Sequence, residues 1–427
     1  MMHEMFSIFR IFLLLTMLLP MPVLADQVIS AIIFEGNDVT EESIMRLEML
    51  VGEGDPVDIS KIDKSVQYIR NLRLFEWVRY RLDEDASTDD VTLVISVRER
   101  YYLVPLPTFR INGDNELEYG AKLRWDNVAG LNHQLKWKVL NKGSSNGIRE
   151  YSNEIDYIMP RIFLSRYQLI LDALNARDVD DDPDTGLELQ RSWAYGFDLM
   201  KWLNKAGISK GLFAAGGIHY KKREITSLEP SINNEEVLDA IVYELRIGTD
   251  IRYEYDFNRS GRFLEYKIGY TGDDETPGSS SSLVKQEIRY VSLNSYSQNP
   301  PVNFNYQVVI GQSNDDFLGD KAFSIGGNTN LRGYDTGEFR GNAILRANFE
   351  YLSIFDESPL LRKVFFFDTG DVPEKLSDLK LSDFKSGAGA GIRWKIRRFV
   401  RVNLRLDAAY AFETDDIHYS FGLSSTF

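Results

Sequence analysis

Ala343-Ile344-Leu345-Arg346-Ala347-Asn348-Phe349-Glu350-Tyr351 is the stretch whose reading decides the fold. In an extended strand, Ala343, Leu345, Ala347, Phe349 and Tyr351 share one face, while Arg346, Asn348 and Glu350 share the other. A soluble sandwich alternates in the same way, but it buries its apolar side against a second sheet. Here the opposite face carries charges, which suits a strand with lipid on one side and a water-filled lumen on the other. Two later segments repeat the pattern. Ala388, Ala390, Ile392 and Trp394 oppose Gly389, Gly391, Arg393 and Lys395. Val402, Leu404, Leu406 and Tyr410 oppose Asn403, Arg405 and Asp407.

Working outward, sixteen such segments separated by turn chemistry run from Tyr102–Ile111 to Tyr419–Phe427. They predict a mostly β fold, with a 16-stranded antiparallel transmembrane β-barrel over residues 101–427. The connections carry a second, independent signal. Asn127–Gly130, Asp256–Gly261, Asp356–Pro359 and Arg397–Val400 are short. Those on the opposite side, Arg177–Gly186, Lys222–Asp239, Thr271–Ser282 and Asp371–Asp383, are longer and mostly acidic. Short periplasmic turns with longer outer loops are expected of such a barrel, and an even strand count returns the C-terminus to the periplasmic side.

The N-terminus sets the compartment. Arg10 precedes Ile11–Leu19, apolar except for Thr16; Pro20 and Pro22 end the run, and Val23-Leu24-Ala25 supplies a cleavage site. Residues 1–25 therefore read as a secretory signal peptide. No later run reaches the roughly 18 apolar residues of a spanning helix. In lipid every backbone polar group needs an internal partner, so a closed sheet is the other way across. The formal net charge of −15 argues against a nucleic-acid partner, and the absence of cysteine excludes disulfides and thiolate metal sites.

Residues 26–100 read as a small β-α-α-β-β domain. Val28–Phe34 is a strand closed by Gly36-Asn37. Thr40 is placed to cap a helix with Ile44, Leu47 and Leu50 on its apolar face. Asp58 is placed to cap a second with Ile59, Ile62, Val66, Ile69 and Leu72, and strands follow near Phe75–Leu82 and Val91–Val97. That order, with Phe34-Glu35-Gly36-Asn37 and Leu74-Phe75 at the strand boundaries, resembles a polypeptide-transport-associated (POTRA) domain. Arg98-Glu99-Arg100 reads as a mixed-charge hinge to the barrel, too balanced for a basic patch.

The longest outer connection, Ser313 to Arg340, contains Gly326-Gly327-Asn328-Thr329-Asn330-Leu331-Arg332-Gly333-Tyr334. It resembles the sixth loop of the outer-membrane insertase and two-partner-secretion superfamily, the bacterial surface antigen family. Gly389-Ala390-Gly391-Ile392-Arg393 and the ending Tyr419-Ser420-Phe421-Gly422…Phe427 are similar to that family as well. The resemblance implies that Leu331, Arg332, Gly333 and Tyr334 fold back into the barrel. It also implies that Arg332 meets Glu350 and Asp368 in the lumen, and that Phe427 is an assembly signal. Strand parity independently puts Glu350 on a polar face and Asp368 opposite Phe365 and Phe367.

The chain departs from the family in three places. Arg397-Arg398-Phe399-Val400-Arg401 replaces a Pro-x-Gly turn, only one POTRA unit fits, and there is no plug helix. The expected function is assembly or translocation of polypeptide at the outer membrane. The partners are then membrane lipid, an unfolded or exported polypeptide client, and periplasmic accessory proteins. Phe75–Leu82 would take the client by strand addition, and the seam between first and last strands, or the lumen, would pass it on. Pro105, Pro107 and Gly422 would weaken that seam. The competing reading is a passive pore or surface receptor.

No enzyme, cofactor or metal is expected. Asp178, Asp180, Asp181, Asp182 and Asp184 suit a divalent cation but read first as a solvated loop tip. His133, His219 and His418 show no ligand spacing, and no Ser-His pair facing lipid, as a lipid hydrolase would need, can be placed.

Overall fold

The computed structural model describes residues 27–84, 90–111, 117–145, 147–182, 186–204, 210–228, 235–255, 258–272, 282–298, 300–318, 320–355, 358–400 and 403–422. The expected signal peptide, Asp184 and Phe427 lie outside them.

The N-terminal unit follows the expected order: β1 (Ile29–Glu35), helices Glu42–Arg46 and Ile59–Asn71, β2 (Phe75–Glu84) and β3 (Val91–Glu99). β3 is central, parallel to β1 and antiparallel to β2, which leaves β2 an edge strand. The second helix seats Ile62, Val66, Ile69 and Leu72 on the sheet. Asp58 caps it, accepting from the Lys61 backbone N–H at 3.1 Å, which satisfies one of the four orphan donors of a helix start.

Two expectations need correction here. Ile59 is 47% exposed, because it precedes the first turn that meets the sheet. Thr40 does not cap the first helix, whose N-cap Glu41 makes no side-chain cap bond; its hydroxyl is engaged by Glu99 and Tyr102 instead.

Sixteen strands close the barrel. They are β4 (Leu103–Ile111), β5 (Leu117–Val128), β6 (His133–Ser145), β7 (Ile148–Met159), β8 (Tyr167–Asp182), β9 (Gly186–Trp202), β10 (Gly211–Ser227), β11 (Glu235–Asp250), β13 (Asn258–Thr271), β14 (Val284–Gln298), β15 (Pro301–Ser313), β18 (Ala343–Phe355), β19 (Ser358–Asp371), β20 (Lys385–Lys395), β21 (Asn403–Ala411) and β22 (Ile417–Gly422). The short β12 (Tyr253–Tyr255) extends the ladder beside β13. In the longest connection, β16 (Phe323–Ile325) and β17 (Phe339–Gly341) form a two-stranded ribbon.

Alternation sorts the wall as the sequence requires. On β19, Phe365 and Phe367 face outward at 54% and 40% exposure, while Val364 and Phe366 face the lumen at 0% and 5%. In two expected loops, Arg177–Gly186 and Lys222–Asp239, the described residues apart from Leu228 are instead strand. β8 and β9 stay paired up to Asp182↔Gly186, and β10 and β11 up to Thr226↔Glu235. Asp178, Asp180, Asp181 and Asp182 therefore sit in a ladder rather than at a loop tip. Beyond the bilayer both faces of a strand are wet, so the ladder continues without the apolar alternation that marks it in sequence.

The N-terminal unit is docked on one mouth of the barrel. Tyr102 and Val400 join its apolar core. The Thr40 hydroxyl lies 3.1 Å from the Tyr102 hydroxyl and accepts from Asn127 Nδ2 at 2.9 Å. Asn127 Oδ1 in turn accepts from the Asn132 N–H, holding the β5–β6 turn. Burial pushes the Tyr102 hydroxyl above the ordinary tyrosine range. Glu48 and Arg161 form a buried ion pair at 2.7 Å between the first helix region and the β7–β8 connection.

The expected hinge is corrected accordingly. Glu99 is the last residue of β3, and it accepts from the backbone N–H groups of Val39 and Thr40 at 3.0 and 2.7 Å. A carboxylate holding two backbone donors and a hydroxyl is a fixed joint.

Candidate functional site in the barrel lumen

The longest connection folds into the lumen rather than away from it. Ile325, Leu331 and Tyr334 pack with Phe323 from the ribbon and with Val309, Ile344, Val372 and Ala411 from the wall. Two glycines permit the path. Gly326 adopts φ +117°, where a Cβ would lie 2.1 Å from the Asp335 carbonyl oxygen. On the wall, a Cβ at Gly387 would lie 2.2 Å from the Arg332 carbonyl oxygen, so the glycine-rich β20 leaves room for the loop backbone. The Tyr334 hydroxyl donates to the Ser386 carbonyl at 2.9 Å.

Arg332 sits at the centre, 1% exposed. Its Nε and Nη2 donate to the two oxygens of Asp368 at 2.6 and 2.8 Å, a bidentate fork. Its Nη1 donates to Glu350 Oε1 at 2.7 Å, and its backbone N–H reaches Asp368 Oδ2 at 3.2 Å. The guanidinium carbon lies 3.6 Å from the centre of the Phe366 ring, a cation–π contact.

The four residues of the loop motif and both expected carboxylates are thus brought together. The network extends further than the sequence reading placed it. Arg393 Nη2 donates to Glu350 at 3.1 Å, and its Nη1 lies 2.5 Å from Asp407. Arg405 Nε lies 3.4 Å from Asp407 Oδ2, and Asn348 Nδ2 donates to Asp368 Oδ1 at 2.9 Å. Arg332, Arg393 and Arg405 therefore face Glu350, Asp368 and Asp407, three charges of each sign across β18, β19, β20 and β21. Removing charges from water is costly, and only mutual pairing with hydrogen bonds offsets it. These contacts tie the loop to the wall through Arg332.

The sequence also missed a second lumen cluster. His219 Nδ1 lies 3.4 Å from Asp172, and its Nε2 lies 3.5 Å from Asp198. Gly196, paired with both Asp172 and His219, makes this possible, since a Cβ there would lie 2.0 Å from the imidazole. Two carboxylates and an imidazole are metal-ligand types, but Arg246 Nη2 lies 2.9 Å from Asp198 and supplies the countercharge itself.

The barrel closes between β22 and β4. The Tyr102 carbonyl accepts from Asp126 on the β5 side, whereas Tyr101 exchanges backbone bonds with Arg398 and Val400 on the other. Backbone groups in an antiparallel ladder alternate in direction, so odd-numbered residues of β4 face the seam. Pro105 and Pro107 lie at two of those positions and have no N–H to donate.

These features define an outer-membrane β-barrel carrying a single periplasmic POTRA unit and an inward-folded loop. Residues 127–427 match the Omp85 superfamily domain, and residues 27–100 match the POTRA family, described as a surface antigen variable number repeat. The chain belongs to the Omp85 superfamily.

Solved structures share the fold. BamA from Haemophilus ducreyi lacking POTRA domains 1–3 matches at TM-score 0.54 and 16% identity, over 92% of this chain and 84% of that one. CdiB from Acinetobacter baumannii matches at 0.59 and 15%, over 92% and 73%. CdiB from Escherichia coli matches at 0.65 and 13%, over 93% and 74%.

Proposed function

We propose that this protein receives unfolded polypeptide in the periplasm and inserts it into, or exports it across, the outer membrane. Membership of the Omp85 superfamily and the fold shared with BamA and CdiB support a polypeptide insertase or transporter. The observation that carries the reading is the seam: two of the β4 positions facing β22 are proline, so this junction is short of donors where a passive pore gains from a complete ladder. A client segment first pairs with the open edge of β2, where main-chain hydrogen bonds give affinity without a fixed sequence. The seam or lumen then passes it on, with the Arg332 loop holding the interior in a defined arrangement. No step requires an enzyme or a cofactor.

A photo-crosslinking side chain at position 79 or 82 of β2, in intact cells, tests this. Crosslinks to newly made polypeptide that fade during a chase are the expected result. Steady conductance with no client crosslinks would hand the molecule to the pore or receptor reading.

A further inference from the structure

One periplasmic turn of the barrel holds its backbone in a conformation that its own residues disfavour. Between β7 and β8, the Ser165 N–H donates to the Ile162 carbonyl at 3.0 Å, and the two residues enclosed, Phe163 and Leu164, have φ of +50° and +54°. That is the type I′ form, in which both central residues lie in the left-handed region and Asn-Gly is the favoured pair. Bulky side chains are outliers there. Such strain persists where the surroundings impose it, and it tends to mark function. Arg161 and Ser165 hold the turn in place. Arg161 Nη1 reaches the Ser165 carbonyl at 3.5 Å, while its Nη2 donates to Glu48 of the N-terminal unit at 2.7 Å. The Ser165 hydroxyl accepts from the Tyr167 N–H at 3.1 Å.

This conformation puts Phe163 at the tip. The residue is 99% exposed, so its ring packs on neither the wall nor the docked unit, whereas Arg161, two positions earlier, is buried against that unit. Leu164 beside it is exposed as well. The strands that lead away from the turn show what surrounds it. On the outward faces of β8 and β9 the cross-strand pairs run Leu171 with Phe197, Leu169 with Leu199, then Tyr167 with Lys201. Two apolar steps are followed by an amphipathic one, in which Lys201 Nζ lies 4.9 Å from the centre of the Tyr167 ring. Tyrosine and snorkelling lysine sit where hydrocarbon gives way to headgroups. Tyr167 therefore marks the periplasmic edge of the apolar band, and the turn follows directly beyond it. The interfacial layer adds roughly 5–7 Å on each side of the hydrocarbon, which is enough to take in an aromatic side chain projecting from such a turn.

We propose that the β7–β8 turn is a membrane anchor. Phe163, with Leu164 beside it, inserts into the interfacial layer of the periplasmic phospholipid leaflet and sets the depth of this side of the barrel. Burial of the ring in that layer offsets the backbone strain that presents it.

The test uses the full chain in nanodiscs of phosphatidylethanolamine and phosphatidylglycerol, with para-fluorophenylalanine at position 163 alone, which keeps the ring. Its fluorine relaxation is read with dissolved oxygen, which concentrates in lipid, and with a water-soluble gadolinium chelate. The same residue at position 197 reports lipid. At position 61, exposed on the second helix of the N-terminal unit, it reports water. A second chain, Phe163→Asn with Leu164→Gly, gives the turn its favoured residues and removes both apolar side chains. Unchanged heat-modifiable migration checks its barrel.

Position 163 should be shielded from the chelate about threefold or more relative to position 61, and relaxed by oxygen as position 197 is. In the substituted chain, a fluorine reporter at position 167 should become more open to the chelate, as this edge of the barrel rises from the leaflet. Chelate access at position 163 equal to that at position 61 overturns insertion. Shielding from chelate and oxygen alike overturns it in favour of contact with a second copy of the chain. An unchanged signal at position 167 in the substituted chain overturns the anchoring role.

Discussion

Two charged clusters line the same lumen and differ in what covers them. Around Arg332, the folded-in loop seals Glu350, Asp368 and Asp407 away from water, and every charge has a partner within the wall. In the other half, Lys136 with Asp156 and Lys138 with Glu154 pair across neighbouring strands, where the described residues lining the cavity beside Glu154 and Asp156 all belong to strands, and both pairs remain partly exposed. Both clusters pair aspartate and glutamate with basic side chains, arginine in the first and lysine in the second. The larger difference is the medium, since the attraction between two charges grows as water is removed and so does the penalty for breaking the pair. A charged lumen wall is therefore not uniformly strong: it is rigid where a loop dries it and loose where it stays wet.

The sharpest way to break this comparison is Arg332→Ala. Two buried carboxylates would be left without their main partner, which typically costs about 3–5 kcal/mol. The folded-in loop should be strongly disfavoured while the strand ladder still closes the barrel. The expected outcome is loss of client handling at near-normal surface level, with increased protease cutting near Tyr334. Glu350→Gln with Asp368→Asn should resemble it. Adding Arg332→Ala to that pair should cause little further loss, because residues in one network are not additive. An unchanged protease pattern and unchanged client handling in Arg332→Ala would reduce the network to ordinary wall packing.

How far this site was legible depends on which kind of information each residue needs. Glu350 and Asp368 are found by parity and by the motif around Arg332, because alternation along one strand suffices. Arg393, Arg405 and Asp407 were also on polar faces, but joining them to Arg332 requires the register between strands. Gly391 opposite Asp407 and Glu350 opposite Phe366 are such facts. Phe366 was hidden for another reason: its ring faces the lumen, where an aromatic is not expected until a guanidinium is known to lie over it.

The same limit explains Thr40. It has the chemistry of a cap, and tertiary partners took its hydroxyl.

The joint between domain and barrel sharpens the comparison from a second direction, since Glu48 and Arg161 are also buried, this time by docking rather than by a loop. Glu48→Gln keeps the shape and removes the charge, weakening one charge-assisted contact by about 1.5–3 kcal/mol. The domain should then sample other orientations on the barrel mouth. The chain has no cysteine, so two introduced ones, at the exposed positions Lys61 and Arg398, take spin labels uniquely. A broadened distance distribution in Glu48→Gln is expected. A distribution identical to that of the unsubstituted chain would show that Thr40, Glu99 and Tyr102 hold the joint alone.

The smallest expected effect completes the contrast. Lys138 and Glu154 are opposite each other on β6 and β7 at 3.5 Å, with side chains 40% and 44% exposed. Pairs this open gain little from Coulomb attraction, lose side-chain entropy on pairing and are screened by salt, so they are worth about 0–1 kcal/mol. Lys138→Gln should leave heat-modifiable migration, surface level, loop protease pattern and client handling unchanged. The substitution is informative because Lys138 and Arg332 both pair with a glutamate in the same lumen. If drying by the loop is what separates them, one removal unlocks the loop and the other passes unnoticed. A loss in Lys138→Gln comparable to that in Arg332→Ala would mean that the lumen acts as one coupled charge network, and the division into a dry half and a wet half would have to be abandoned.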